Sequence, residues 1–209
     1  MKEKKALFSQ RLGAFLLDII FVSLIASIIT MFIPVSDAAG KLYDEQNVIM
    51  ENYINGEISI EEYANNMIDI SYDISKETGV ITIVSIIVSL LYYVVYPTYK
   101  NGQTMGKQLL KIKVVKTNKK DLSMNDLLIR SCFNTSILVN IITVCFVFFA
   151  SKDVYLTAST TISGIWYLVV IISLFMIAFS KSKQGIHDKI AHTDVVMCNT
   201  VKEEVACEN

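Results

Sequence analysis

Asp18 is the residue of this sequence best placed to do chemistry, because it is ionisable and lies inside a long apolar segment, residues 12–33. A charge there costs a few kcal/mol in a bilayer, so it is normally paired and turned towards neighbouring helices. Arg11 lies on nearly the same helix face but about 10 Å away along the axis. Arg130, the other arginine of the chain, begins a later apolar segment, with Asn134 one turn beyond it. We therefore predict an ion pair between Asp18 and Arg130, with Arg11 as the alternative partner.

This ion pair has two interpretations, and the sequence leaves both open. A buried pair can lock helices together without any other role, or Asp18 can be the titrating group of a cation or proton site. The segment that follows Arg130 is rich in polar side chains, which serve either interhelical hydrogen bonds or a polar pathway. These side chains are Ser131, Asn134, Thr135, Ser136, Asn140 and Thr143.

The two histidines of the chain, His187 and His192, flank Asp188 after the last apolar segment. A metal site formed by these three residues is conceivable, but no cysteine or glutamate has ligand spacing to them. The pattern therefore favours a capping turn beneath the helices. The cysteines form no CxxC pair, which is typical of reduced packing thiols; they are Cys132, Cys145, Cys198 and Cys207. No nucleophile, phosphate-loop or HExxH pattern indicates an enzyme, and we predict no cofactor.

The elements that position these residues are long apolar blocks. Of the 209 residues, 53% are hydrophobic and 19% are charged, whereas soluble domains have about 25% charged residues. Four blocks are long enough to cross a bilayer, which needs roughly 17–25 apolar residues; they are residues 12–33, 80–96, 127–150 and 161–179. Pro34 and Pro97 follow the first two blocks and are expected to end them. We predict an all-α integral membrane four-helix bundle and exclude a disordered chain, a secreted disulfide scaffold and a nucleic-acid-binding protein.

The distribution of lysine and arginine predicts the orientation of this bundle. Bases gather before the first block, in the 98–126 loop and in the 181–209 tail, whereas residues 34–78 contain ten acids and two lysines. By the positive-inside rule, both termini and the 98–126 loop are cytoplasmic, in a plasma membrane protein. Interfacial aromatic residues are expected at both membrane surfaces: Tyr92, Tyr93, Tyr96 and Tyr99 inside, and Trp166 and Tyr167 outside.

The outer 35–78 loop shows helical apolar spacing in two stretches, separated at Asn55-Gly56, with Ser59 at the start of the second. We expect two short amphipathic helices with an acidic face. That face is a solvated cap, a cation-concentrating vestibule or a surface that docks a partner.

The inner loop alternates polar and apolar residues over 111–116, which predicts a short strand that could pair with residues 193–197. Ser123 and Asp126 have the spacing of a capping box. The loop lysines should attract anionic lipid, at about 1 kcal/mol per base.

Several of these motifs, in this order, resemble the RDD family of membrane proteins, which is named for one arginine and two aspartates. By this resemblance those residues are Arg11, Asp18 and Asp188. The resemblance further rests on a Gly-x-Thr-x-Gly-Lys loop motif, an arginine early in the next span and a closing His-Asp-Lys-x-Ala-x-Thr motif. The matching residues are Gly102, Thr104, Gly106, Lys107, Arg130, His187, Asp188 and Thr193. One departure is His192, which stands where a small residue, often glycine, is expected.

The resemblance covers the whole chain as a single membrane domain, except for the acidic 35–78 loop, which looks like an insertion. It implies a bacterial membrane protein that transports ions or small ligands, and it implies no catalytic residues. We expect a transport-related protein with Asp18 as its ion- or proton-responsive group and Arg130 as the counter-charge. A homo-oligomer is expected because four helices leave little room for a polar path. The alternative is a non-transporting accessory protein that docks a partner through the outer loop.

Overall fold

The computed structural model describes residues 4–118 and 120–198, and most of them are helical. Cys207 lies outside the described residues, as do Lys2 and Lys119, two of the bases counted before the first apolar block and in the 98–126 loop. Apolar segments favour helices because a helix satisfies its own backbone hydrogen bonds where water is absent. The helices are α1 Phe8–Thr30, α2 Asp37–Ile54, α3 Ile60–Glu77, α4 Gly79–Leu90, α5 Tyr96–Tyr99, α6 Met105–Leu109, α7 Met124–Asn134, α8 Ile137–Phe149, α9 Lys152–Phe179 and α10 Ile186–Ile190.

Three helical stretches of the described chain are long and apolar enough to cross a membrane: Phe8–Thr30, Gly79–Tyr99 and Lys152–Phe179. Few of the residues in α1 and α9 are buried inside the protein, and many of their leucines, isoleucines and phenylalanines are exposed. Apolar side chains facing outward along a helix of this length are what contact with lipid tails requires. The chain is therefore an all-α protein in its apolar part, with helices suited to a bilayer.

The third predicted span is a bent pair of helices instead of one straight helix. α7 and α8 meet at an angle of 72° and together pass the same test of length and hydropathy. The break lies at Thr135, whose backbone is extended (φ −124°, ψ 167°). Both the N–H and the hydroxyl of Thr135 donate to the carbonyl of Ser131, at 3.0 and 2.8 Å. Near the end of α7, where helix carbonyls lose their usual partners, the carbonyl of Ser131 thus accepts two hydrogen bonds from Thr135.

The sequence predicted that the second span ends at Pro97, but the helix continues past this proline. A π-helical turn over Leu91–Val95 joins α4 to α5, which continues to Tyr99. The proline ring prevents the usual bond to the carbonyl of Tyr93, four residues back. That carbonyl instead accepts the hydroxyl of Ser131, at 3.3 Å. A partner on α7 therefore allows the helix to pass through the proline.

The 35–78 loop forms a helical hairpin, as predicted, although its helices α2 and α3 are longer than expected at 18 residues each. Ser59 caps α3 by accepting the N–H of Glu62 at 3.2 Å. At the base of the hairpin, the hydroxyl of Ser36 donates to the carboxylate of Glu77 at 2.9 Å. The two ends of the hairpin therefore lie next to each other.

The predicted small sheet is confirmed. β1, Ile112–Lys116, pairs antiparallel with β2, Thr193–Met197. Lys5 adds a bridge to Val196, so the N-terminal segment also joins this sheet. A compact apolar cluster lies beneath the strands; its buried members are Ala6, Ala14, Ile112, Val114 and Val195.

The predicted capping box at the start of α7 is also confirmed. The hydroxyl of Ser123 accepts the N–H of Asp126, and the carboxylate of Asp126 accepts the N–H of Ser123.

Candidate functional site

Asp18 is fully buried, and the inner loop surrounds its carboxylate with donors. Oδ1 accepts the hydroxyl of Tyr92 at 2.7 Å and the backbone N–H of Gly106 at 2.8 Å. Oδ2 accepts the hydroxyl of Thr104 at 2.6 Å. Lys107 Nζ lies 3.6 Å from the same oxygen. The loop motif is therefore the cradle of the aspartate in the first span.

Glycine is required in this cradle for the close approach of two backbones. A Cβ atom on Gly106 would lie 2.8 Å from Asp18 Oδ1 and would also clash with the carbonyl of Ala14 on α1. Gly102, earlier in the motif, has φ +78°, a conformation that favours glycine. These contacts explain both glycines of the motif in physical terms.

Lys107 is the positive partner of Asp18. Its ammonium group also donates to the hydroxyl of Thr104 at 3.1 Å. Burial lowers the pKa of Lys107 to about 8, although the charge of Asp18 opposes this shift; the charges of Arg130 and Arg11 add to it. The lysine thus loses its proton much nearer to neutral pH than an exposed lysine does.

Asp188 is the second buried carboxylate, and it binds both arginines of the chain. Arg11 Nη2 donates to its Oδ2, and Arg130 Nη1 donates to its Oδ1. The N–H of Gly185 also donates to Oδ2 at 3.0 Å, so Asp188 caps α10 as the predicted capping turn requires. Burial alone would raise the pKa of this carboxyl, but Arg130 and the other positive groups hold it well below its ordinary value.

The predicted ion pair between Asp18 and Arg130 is wrong, and so is the alternative between Asp18 and Arg11. The face of α1 that bears Asp18 packs against α6, and its partners come from α6, from Thr104 just before it and from Tyr92 of the second span. The tail after α9 folds back beneath the helices and places Asp188 between the arginines. Spacing along one helix cannot reveal this, because the partner comes from a segment 177 residues away.

Two further residues of the closing motif contact this cluster. The hydroxyl of Thr193 accepts Arg130 Nη1 at 2.9 Å. His187 Nδ1 lies 3.1 Å from the hydroxyl of Ser173, which also accepts the N–H of Ile186. Burial, reinforced by the charge of Arg130, lowers the pKa of His187 to about 3, so this imidazole is neutral at pH 7.

A cavity of about 100 Å³ lies among these groups, between α1, α7, α9 and α10. Its lining contains both polar and apolar side chains. The polar ones are Arg11, Asp18, Lys107, Arg130, Asn134, Ser173 and His187. Four of the five candidate residues from the sequence therefore line this inner cavity: Arg11, Asp18, Arg130 and Asn134. The fifth, Asp188, does not line it but is bonded to the two arginines that do.

A second cavity, of about 490 Å³, forms a cleft along α1 from Phe15 to Thr30, a distance of about 22 Å. Most of its polar lining is hydroxyl groups: Ser23, Ser27, Thr30, Ser85, Ser89, Thr135 and Ser136. Ser85 and Ser89 donate to carbonyls of their own helix at 3.0 and 2.8 Å, so their oxygens remain available as acceptors. Trp166 also lines the cleft, and its Nε1 is the buried polar side-chain atom without a partner in the described chain.

Sequence reasoning missed Tyr92 and Ser173. It assigned Tyr92 and Tyr93 to the membrane interface, but both are buried against neighbouring helices; Tyr99 is exposed as expected. The hydroxyl of Tyr92 reaches Asp18 only because α4 and its π-helical turn pack beside α1. The only signal for Ser173 was that it is the single serine in the apolar stretch 165–179 of α9.

In the described part of the chain, no group of three or more His, Cys, Asp and Glu side chains could hold a metal ion. The side chain of His192 is exposed, whereas His187 and Asp188 are buried. Cys132 and Cys145 are free thiols.

Apolar helices of spanning length, with buried charges gathered at one end, define this chain as an integral membrane protein. The model of the RDD family matches residues 5–192, and the chain belongs to this family. No curated protein and no solved structure gives a significant match.

Proposed function

We propose that this protein takes part in the transport of cations, protons or a small ligand across the plasma membrane. Asp18, with Lys107, is the proton-responsive group, and the protein is not an enzyme. The main support is that the inner cavity and the hydroxyl-lined cleft share Phe15 and Asn134 in their walls. A charged site thus adjoins a cleft that carries hydroxyl groups among apolar side chains and extends along most of α1.

The small sheet supports a topology in which the N-terminal segment, the 98–126 loop and the start of the tail lie on one side of the membrane, which the positive-inside rule makes the cytoplasmic side. Lys5, β1 and β2 pair with one another, so they lie on one side of the membrane. Between β1 and β2 the chain contains the bent pair and α9, and an even number of crossings must separate two strands on one side. The bent pair therefore crosses as well, which makes four crossings in all.

The charge pair of Asp18 and Lys107 supports a proton-linked mechanism. A lysine with its pKa near 8 changes charge over an accessible pH range. Loss of that proton removes the counter-charge that lies 3.6 Å from the carboxylate. The balance of charge at the inner end of the cleft would change with each proton, as coupling of protons to cation movement requires.

The reason for expecting a homo-oligomer was the lack of room inside four helices. Because the single chain already contains a 490 Å³ cleft, that reason is weakened, and the homo-oligomer stays a prediction. Its mass in nanodiscs would test it.

Ion flux in proteoliposomes tests the transport proposal. Purified protein is reconstituted with an internal pH dye, and sodium, potassium or lithium is then added outside. We expect flux in the wild type and its loss in Asp18→Asn. Ala26→Trp, which places a large ring in the cleft, should abolish flux without altering the charged cluster.

Ala178→Trp is the matched control, because Ala178 is exposed on α9 and lines neither cavity. Thermal melting of each variant in detergent establishes that it is folded. Flux that persists in a folded Ala26→Trp protein would contradict the role of the cleft.

The α2–α3 hairpin supports a second candidate, an accessory protein that docks a partner. Large apolar side chains on this acidic hairpin are exposed, and exposed apolar patches often mark binding surfaces. They include Val48, Met50, Ile54, Ile60 and Ile68.

Deletion of residues 37–77 separates the two candidates, since the ends of the hairpin already meet at Ser36 and Glu77 and a short glycine linker can join them. In a strain lacking the native gene, an accessory protein would lose its function on this deletion and keep it in Ala26→Trp. A transporter would show the opposite pattern.

A further inference from the structure

The inner cavity contains more positive charge than its carboxylates balance. Three cationic side chains, Arg11, Arg130 and Lys107, meet two carboxylates, Asp18 and Asp188. Arginine stays protonated in proteins, and every described contact of Asp18 comes from a donor, as suits an ionised carboxylate. Three positive charges less two negative charges leave one unbalanced positive charge.

The other ionisable groups near the cavity do not supply the missing negative charge. His187 is neutral at pH 7. Asp194 is paired with Lys5 at 2.7 Å, and Asp126 is paired with Lys116 at 3.0 Å. The excess therefore stays with the arginines and Lys107.

Unused hydrogen-bond donors accompany this charge. Within the described residues, the bonds of Arg130 all leave from Nη1. The N–H groups of its Nη2 and Nε remain for another acceptor. The side-chain amide of Asn134 lines the same cavity and likewise has no described hydrogen-bond partner. These donors are open to the cavity, so an acceptor of opposite charge placed there would both bond to them and balance the charge.

The size and walls of the cavity define this acceptor further. A volume of about 100 Å³ is enough for several waters or one tetrahedral oxyanion. Phosphate suits arginine because the guanidinium group presents parallel N–H donors to its oxygens. Phe8, Leu12 and Phe133 supply apolar lining, which would contact the hydrocarbon part of a lipid whose phosphate enters the cavity.

We propose that the inner cavity binds an anionic phosphate group, from either an anionic phospholipid headgroup or free phosphate, through Arg130, Arg11, Lys107 and Asn134. The proposal does not depend on transport, since such a ligand would stabilise the folded protein whether or not the protein moves ions.

Thermal melting of the full-length protein in detergent tests this site. In one arm, sodium phosphate is compared with sodium chloride at equal ionic strength. In the other arm, micelles are doped with phosphatidylglycerol or with zwitterionic phosphatidylcholine. We expect a saturable rise in melting temperature with phosphatidylglycerol, with phosphate, or with both. A response to phosphatidylglycerol alone identifies the lipid headgroup, and a response to both shows that free phosphate also enters.

Asn134→Asp is the decisive variant, because it places a carboxylate of the same shape in the cavity and balances its charge. We expect this variant to melt higher than the wild type without ligand and to lose the response to phosphate and phosphatidylglycerol. Asn140→Asp is the matched control, since Asn140 lies on α8 outside the cavity; it should keep the wild-type response.

Lys107→Gln, in turn, should weaken the apparent affinity by at least about tenfold, whereas Lys111→Gln, at an exposed position of the same loop, should not. An absent response in the wild type would overturn the proposal. So would a response of full size in Asn134→Asp, because the anion would then lie on surface lysines.

Discussion

Single contacts between the inner loop and the first span explain why particular residue types occur in the loop motif. Thr104, Gly106 and Lys107 each supply a different donor to Asp18: a hydroxyl, a backbone N–H and an ammonium group. A carboxylate with three hydrogen bonds and a counter-charge avoids the large cost of an unpaired charge in an apolar bundle. The same logic holds at Asp188, which two arginines and a backbone N–H surround.

Gly106→Ala should destabilise the protein by about 2 kcal/mol, because the new methyl group has no space between α1 and the carboxylate of Asp18. Gly40→Ala is a control of opposite sign. Nothing lies within 4 Å of a Cβ at Gly40, and alanine stabilises a helix interior by about 0.5–1 kcal/mol. Denaturant titrations of both variants measure these changes; equal stability of Gly106→Ala and the wild type would contradict the cradle.

His187 should make the stability of the protein depend on pH on the acidic side. Its pKa is about 3 in the folded protein, against an ordinary 6.5. As the pH falls below 6.5, the unfolded chain therefore binds a proton that the folded chain does not. Stability is full above pH 6.5 and declines towards pH 3, with a loss of about 2 kcal/mol between pH 7 and pH 5 from this group.

His187→Asn isolates this effect, because an asparagine oxygen can still accept the hydroxyl of Ser173 but does not titrate. Melting temperatures of the two proteins should converge as the pH is lowered from 7 to 5. If the difference between them stays constant over that range, His187 is not the group responsible.

Helix ends and breaks define the site at the scale of elements. The break between α7 and α8 lies where the inner cavity and the cleft meet, since Asn134 ends α7 and Thr135 and Ser136 line the cleft. Broken membrane helices are tolerated where polar groups line a cavity. The π-helical turn in the second span places the hydroxyl of Tyr92 on Asp18. Both irregular segments thus contribute directly to the polar sites.

The turn between α10 and β2 explains why the family pattern expects a glycine at the position of His192. His192 follows the end of α10 with φ +52°, a left-handed conformation that glycine adopts without strain. His192→Gly should therefore stabilise the protein by about 1 kcal/mol. His192→Ala removes the same side chain but keeps the strain, so its melting temperature should not rise. Equal gains in both variants would instead assign the effect to the histidine ring.

The whole molecule is organised by the small sheet, which joins the N-terminal segment, the inner loop and the tail. Cysteine labelling in intact cells tests the resulting orientation. In a chain with its native cysteines replaced by serine, Glu57→Cys at the tip of the hairpin should react with an impermeant maleimide from outside. Asn118→Cys, in the inner loop, should react only after the cells are made permeable. Outside labelling of Asn118→Cys would invert the proposed topology.

The sequence by itself determined the local features of this protein, namely the positions of its helices, several helix starts and one strand. Apolar block length predicted where helices lie, Ser59 and Ser123 predicted helix starts, and alternation predicted the strand at β1. The loop and closing motifs led to the RDD family, which the family comparison confirmed. Each of these signals is contained within a few turns of chain, because helix capping, helix periodicity and strand alternation are short-range effects.

Only the tertiary structure decided which charges meet. Arg130 pairs with Asp188 from the tail, and Asp18 pairs with Lys107 from the inner loop, at sequence separations that no helical spacing encodes. The bend at Thr135 and the passage through Pro97 likewise depend on partners that packing supplies. The physical reason is that a buried charge must find its donors in three dimensions, and any segment brought beneath the helices can provide them.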